Sequence, residues 1–157
     1  MSTQSLSLTL TGPDDTVEHA RQLAGKLARG DVILLSGDVG AGKTHFARSL
    51  IKALLEYPED IPSPTFTLVQ TYDGRSGTIW HADLYRLTST YEIEELGLIE
   101  AFHDAICLVE WPDRLGPLAP SDALDISLSP GPSDDSRHMS VQWNGPQWAD
   151  KLTDWRA

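Results

Sequence analysis

A chain of 157 residues, 40% of them apolar, is long enough for one domain with a buried core. It holds no apolar run of about 18 residues that would cross a membrane. A net charge of −11, from 12 basic and 23 acidic residues, disfavours direct binding to nucleic acid, because that affinity rests on neutralising phosphates with Lys and Arg. The single cysteine, Cys107, excludes an internal disulfide and a Cys-based zinc cluster. Residues 1–10 lack the basic-then-apolar order of a secretion signal, so the sequence predicts one cytoplasmic domain over residues 1–157.

Leu6, Leu8 and Leu10 alternate with polar residues, as in a half-buried strand. Gly12 and Pro13 break the pattern, and Asp15 with Glu18 three residues on reads as a helix start. Val17, Ala20, Leu23, Ala24 and Leu27 give that helix one apolar stripe, with Gly30 as a stop. Val32, Ile33, Leu34 and Leu35 form the continuous apolar run of a strand buried on both faces. A glycine loop follows directly. Phe46, Leu50, Ala53 and Leu54 then mark a second amphipathic helix, ending near Tyr57 and Pro58.

Residues 66–72 and 78–85 read as a hairpin joined through residues 73–77. Residues 90–98 are acidic and predict one short helix, and residues 105–109 another buried strand with Cys107 in the core. Two alternating strands follow at residues 123–128 and 138–143. Trp148, Leu152 and Trp155 mark a terminal helix, whose tryptophans are expected to cover the sheet edge. Hairpins together with helix crossovers predict an α/β, three-layer domain with a mixed parallel/antiparallel sheet, and the loop that follows the second strand makes it P-loop NTPase-like.

The loop Gly37-Asp38-Val39-Gly40-Ala41-Gly42-Lys43-Thr44 matches the phosphate-binding pattern without a mismatch, between a predicted strand and a predicted helix. Its glycines let successive backbone N–H groups turn inward onto phosphate oxygens. ATP and Mg²⁺ are therefore the expected cofactors. Lys43, expected to face solvent in the empty loop, would reach the β and γ phosphates, and the Thr44 hydroxyl would ligate Mg²⁺. The nucleotide-binding set is Asp38, Val39, Gly40, Ala41, Gly42, Lys43, Thr44 and His45.

A second Mg²⁺ ligand belongs at the end of a neighbouring strand, where Glu110 stands directly after residues 105–109. Asp113 is the rival, because Asp113-Arg114-Leu115-Gly116 fits a GTPase pattern, but it lies beyond Pro112. His81 and Asp83 share a strand face by the two-residue period; Asp83 can orient water or reach Mg²⁺ through water, and His81 is either part of the site or a structural histidine. Thr65, in Ser63-Pro64-Thr65, either presents a hydroxyl to the γ-phosphate or Mg²⁺ or begins a strand. His19, His45, His103 and His138 show no metal spacing and are expected at the surface.

Four motifs occur in order: the loop at residues 37–44, Ser63-Pro64-Thr65-Phe66-Thr67-Leu68-Val69, His81-Ala82-Asp83-Leu84-Tyr85-Arg86 and Glu110-Trp111-Pro112. Over about residues 15–143 the chain resembles the TsaE (YjeE) family, with His45 a departure where the family carries a small or hydroxyl residue. The resemblance implies a Mg²⁺-dependent ATPase of tRNA threonylcarbamoyladenosine biosynthesis, slow alone, that acts with the TsaB and TsaD proteins and resets their complex between turnovers. It implies tRNA contact only through those partners. Lys43, Asp83 and Glu110 would be catalytic, Thr44 and Glu110 would hold the metal, and Thr16 and Arg137 would lie near the adenine. Arg137 can alternatively be a solvated charge, and Trp111 is expected in the core. The competing classes are a small P-loop kinase, disfavoured by the lack of an Arg-rich lid, and a nucleotide-sensing module that does not hydrolyse.

Overall fold

The computed structural model describes residues 4–37, 42–55, 69–85, 87, 90–153 and 155. Its strands are β1 (Gln4–Leu10), β2 (Val32–Ser36), β3 (Val69–Gly74), β4 (Gly77–Asp83), β5 (Ile106–Glu110), β6 (Leu124–Pro130) and β7 (Arg137–Trp143). They form one seven-stranded sheet of order β1-β7-β6-β2-β5-β4-β3. The central strands β6, β2, β5 and β4 run parallel, while β3 and β7 pair antiparallel at either side, so the sheet is mixed as expected.

The helices are α1 (Pro13–Ala24), α2 (Lys43–Leu54), α3 (Thr90–Glu95), α4 (Leu98–Asp104) and α5 (Pro146–Lys151), with a 3₁₀ segment at Pro112–Leu118. Strand alternation assigns them to two layers. Ile33 and Leu35 of β2, with Ile106 and Leu108 of β5, pack against α1, α2, Trp148 of α5 and Trp155 beyond it. Val32, Leu34, Cys107 and Val109 point the other way, against α3, α4 and Leu115 of the 3₁₀ segment. The sheet is thus covered on both faces, which makes three layers. Burial pushes the Cys107 thiol up to about 12, so it is an inert core residue. Among the described residues, no helix is long and apolar enough to cross a membrane.

Several elements differ from the sequence expectation. The buried side of α1 runs through Thr16, His19, Ala20 and Leu23, so Val17 is left 42% exposed. An apolar count selects Val17 because it discounts the buried polar pair. His19 is accordingly not at the surface: its Nδ1 lies 2.9 Å from the Asp15 carbonyl and 3.2 Å from the Asp15 carboxylate. His45, His103 and His138 are exposed. The acidic helix expected over residues 90–98 is two helices, because Gly97 takes a left-handed φ of 78° and starts α4.

The tryptophans expected to cover the sheet edge are instead fully buried. Trp148 Nε1 donates to the Asp122 carbonyl at 2.7 Å, and Trp155 Nε1 donates to the His19 carbonyl at 2.8 Å. Both indoles bring their polar atom to a partner, which removes the cost of burying it. Trp148→Ala is expected to lower unfolding free energy by about 3–5 kcal/mol, measured by urea denaturation, as truncation of a buried large aromatic does. A loss under about 1 kcal/mol would contradict the core assignment.

Candidate nucleotide and metal site

The site forms where β2, β5 and β4 end side by side. Leu35 pairs with Glu110, and Glu110 pairs with Asp83, so the ends of three parallel strands meet on one line. In such sheets the carboxyl ends of the strands form the binding edge. The chain leaves β2 at Ser36 and re-enters regular structure at Gly42, which precedes α2. Gly42 has φ of 99°, a conformation that costs any residue with a Cβ. Asp38, Val39, Gly40, Ala41 and Thr65, with Ser63 and Arg86, lie outside the described residues.

Lys43 opens α2 and is only 5% exposed, so it does not face solvent. Its Nζ donates to the Gly37 carbonyl at 2.5 Å and sits 3.4 Å above the centroid of the Trp111 ring. Desolvation of the ammonium is offset by the carbonyl dipole and by the negative face of the indole. Trp111 itself is half-buried beside the site rather than in the core. It takes φ 60° and ψ 54°, left-handed values rare for a bulky side chain, and its other neighbour is the exposed Tyr85 ring at 4.8 Å. Nothing in the sequence marked this conformation. The proline after Trp111 was the only local sign that the strand ends there.

Thr44 Oγ1 donates to Glu110 Oε1 at 3.0 Å, across 66 residues of sequence. The other carboxylate oxygen, Oε2, lies 2.7 Å from His81 Nε2, and both side chains are buried. Alternation explains the meeting. Ile79 and Ile106 pack into the α1–α2 layer, so His81 and Glu110, in register with them along β4 and β5, point to that same side. The sequence left His81 open between site and structure; it touches the site carboxylate. Asp113 is exposed in the 3₁₀ segment, and it is Glu110 that meets the loop threonine.

Asp83 is half-buried and its Oδ1 accepts from the Tyr85 N–H at 3.0 Å. Burial pushes its carboxyl above the usual value of 3.8, and the nearby Glu110 charge adds to the rise, against the Tyr85 N–H and the Lys43 charge. On the other side of Gly42 lies a cavity of about 230 Å³, with Leu10 and Leu128 supplying apolar walls and Thr16, His45, Asp135 and Arg137 polar ones. Arg137 is a built element of this wall: its Nη1 donates to the carbonyls of Asp134 at 2.9 Å and Ser136 at 2.8 Å. Thr16 donates to the Gly12 carbonyl at 3.2 Å, at the start of α1. Sequence reasoning missed Leu10, Leu128 and Asp135, because strand alternation identifies inward residues without telling a core from a cavity wall.

Among the described residues, no group of three or more His, Cys, Asp or Glu side chains converges on one point. The donors at the loop are instead the hard oxygens of Thr44 and Glu110. That set fits Mg²⁺, which takes one or two protein oxygens and completes its shell with phosphates and water.

The family model described as threonylcarbamoyl adenosine biosynthesis protein TsaE matches residues 10–139. The chain belongs to the TsaE family. It is 42% identical over 120 residues to the tRNA threonylcarbamoyladenosine biosynthesis protein TsaE of Rickettsia conorii, covering 76% of this chain and 69% of that protein. The Bacillus subtilis protein of the same name is 34% identical over 138 residues, 87% of this chain and 85% of that one. The crystal structure of Bacillus subtilis YdiB has a TM-score of 0.80 at 28% identity, covering 99% of this chain and 96% of that chain. The family read from the four motifs, and the α/β fold with its mixed sheet, are both borne out.

The raised Asp83 carboxyl makes a signed prediction. A group that binds its proton more tightly folded than unfolded stabilises the fold when protonated and costs stability once ionised. Asp83→Asn keeps the oxygen that accepts from Tyr85 and removes the ionisation. The variant is expected to unfold at higher denaturant than wild type at pH 7. The difference should shrink as pH falls through the raised value and vanish below 3.8, the usual value. Equal unfolding midpoints at pH 7 would contradict the placement.

Proposed function

We propose that this TsaE-family chain binds ATP with Mg²⁺ and hydrolyses it in the biosynthesis of threonylcarbamoyladenosine on tRNA, acting in the cytoplasm with the TsaB and TsaD proteins to reset their complex between turnovers. The observation that carries the reading is the 3.0 Å hydrogen bond from Thr44, the last residue of the phosphate-loop motif, to Glu110 at the neighbouring strand end. That juxtaposition is what a nucleotide–metal site requires and what a chance glycine loop has no reason to have.

Each residue takes a separate task. Backbone N–H groups at the start of α2, with the positive end of its dipole, favour the phosphates. Lys43 exchanges the Gly37 carbonyl and the Trp111 face for phosphate oxygens. Thr44 and Glu110 would hold Mg²⁺, whose charge would supply electrostatic stabilisation to phosphoryl transfer. Asp83, one strand over from Glu110, orients the attacking water, and Thr65 offers a hydroxyl to the γ-phosphate. The cavity between Thr16, His45 and Arg137 takes the adenine. Partner proteins supply the surface that touches tRNA, in keeping with the net charge of −11.

Lys43→Ala is expected to abolish ATP binding, measured by calorimetry, while circular dichroism stays native; unchanged affinity removes the phosphate-loop assignment. Glu110→Gln should lower hydrolysis roughly 10²-fold or more with a smaller change in ATP affinity, because its charge acts mainly where charge develops. Full activity in that variant, with Asp113→Asn inactive, would move the role to Asp113.

Affinity for the TsaB–TsaD pair should be higher with a non-hydrolysable ATP analogue than with ADP. A ligand shifts docking only through contacts that differ between states, and the γ-phosphate is the difference. Tight ATP binding without phosphate release, even with both partners present, would leave a nucleotide-sensing module instead of an ATPase.

A further inference from the structure

Glu110 is held at both oxygens. Thr44 Oγ1 takes Oε1 at 3.0 Å, and His81 Nε2 takes Oε2 at 2.7 Å, inside a pocket where His81 has no exposed surface and Glu110 is 1% exposed. Among the described residues, the buried His81 Nδ1 has no hydrogen-bond partner. An ionised carboxylate oxygen only accepts, so the ring nitrogen 2.7 Å from Oε2 must be the one that carries the proton. The arrangement therefore puts the ring proton on Nε2, where it donates to Glu110.

We propose that His81 is the positioning residue of the metal-binding carboxylate, acting through Glu110 and touching neither metal nor nucleotide itself. The inference rests on the nucleotide–metal reading of the site. A free carboxylate at a strand end rotates about its terminal bond and presents either oxygen in many directions. With Oε2 fixed by His81, Oε1 stays directed at Thr44, and the pair of hard oxygens is set before metal arrives. Partners behind a metal ligand commonly change metal affinity 10- to 100-fold when removed. The rest of the surroundings makes the histidine specific. Ile79 and Leu108 are buried apolar neighbours in the sheet, so among the described residues of β4 and β5 only His81 presents a donor to Oε2.

Two variants separate positioning from packing. In His81→Gln the side-chain amide nitrogen reaches the place of Nε2 and keeps the donor. In His81→Asn the amide stops near the place of Nδ1 and falls short. The readout is the ratio of ATP affinity with Mg²⁺ to that in EDTA, by calorimetry. We expect the ratio in His81→Asn to fall by about tenfold or more, with EDTA affinity unchanged, and in His81→Gln to stay within about threefold of wild type. A purely structural role would shift unfolding midpoints of both variants and leave the ratio alone.

Long-range ¹H–¹⁵N spectra of the metal-free wild type give a reading that needs no variant to fold, and should show His81 protonated at Nε2. An Nδ1-protonated ring, a ratio unchanged or raised in His81→Asn, or a ratio lost in His81→Gln overturns the positioning role alone. A wild type that binds ATP equally with and without Mg²⁺ overturns the metal site, and the positioning role with it.

Discussion

The parallel pairing of β2 with β5 is the constraint on which the site depends. It sets Leu35 opposite Glu110, so the strand that feeds the phosphate loop ends beside the strand that carries the carboxylate. A parallel pair requires a crossover, and here the intervening chain contains α2, the β3–β4 hairpin, α3 and α4. The register is pinned by burial on both faces. A slip by one residue would send Ile33 and Leu35 into the layer built for Val32 and Leu34, and Glu110 away from Thr44. Fold stability and site geometry are therefore one property of the same four-residue ladder.

That geometry buries charge. Lys43 and Glu110 are nearly inaccessible, and isolated burial of either would cost several kcal/mol. Each is met by local groups: Lys43 by the Gly37 carbonyl and the Trp111 ring, Glu110 by Thr44 and His81. The left-handed backbone of Trp111 is part of this arrangement, because it turns the indole back under the ammonium. The ammonium is thus already desolvated, so on the proposed reading a phosphate would exchange one set of partners for a stronger one. Tyr85, half exposed and packed on Trp111, joins this interior arrangement to the surface.

Much of this was legible in the sequence, and for identifiable reasons. The apolar run of residues 32–35 followed by the loop motif fixes a strand, a turn and a helix, each by a local rule. Glu110 was legible because it directly follows a second run of the same kind. Where the pattern is mixed, the reading failed. Thr16 and His19 are buried polar residues, so an apolar count moved the stripe of α1 onto Val17 and placed His19 in solvent. Lys43 and Trp111 were misplaced because a cation over an indole is a tertiary contact between residues 68 positions apart, with no periodic trace. The cavity wall at Leu10, Leu128 and Asp135 comes from two strands and the β6–β7 loop, and only the strand order brings them together.

The most direct test of the account is to locate a divalent cation on the folded protein. Mn²⁺ added with ATP is paramagnetic and broadens the amide signals nearest to it in the ¹H–¹⁵N spectrum. The account predicts loss of the Lys43, Thr44, Asp83 and Glu110 signals, with those of Trp148 and Tyr72 remaining sharp. Broadening centred on Asp113, or a spectrum that ATP and Mn²⁺ leave unchanged, would contradict it.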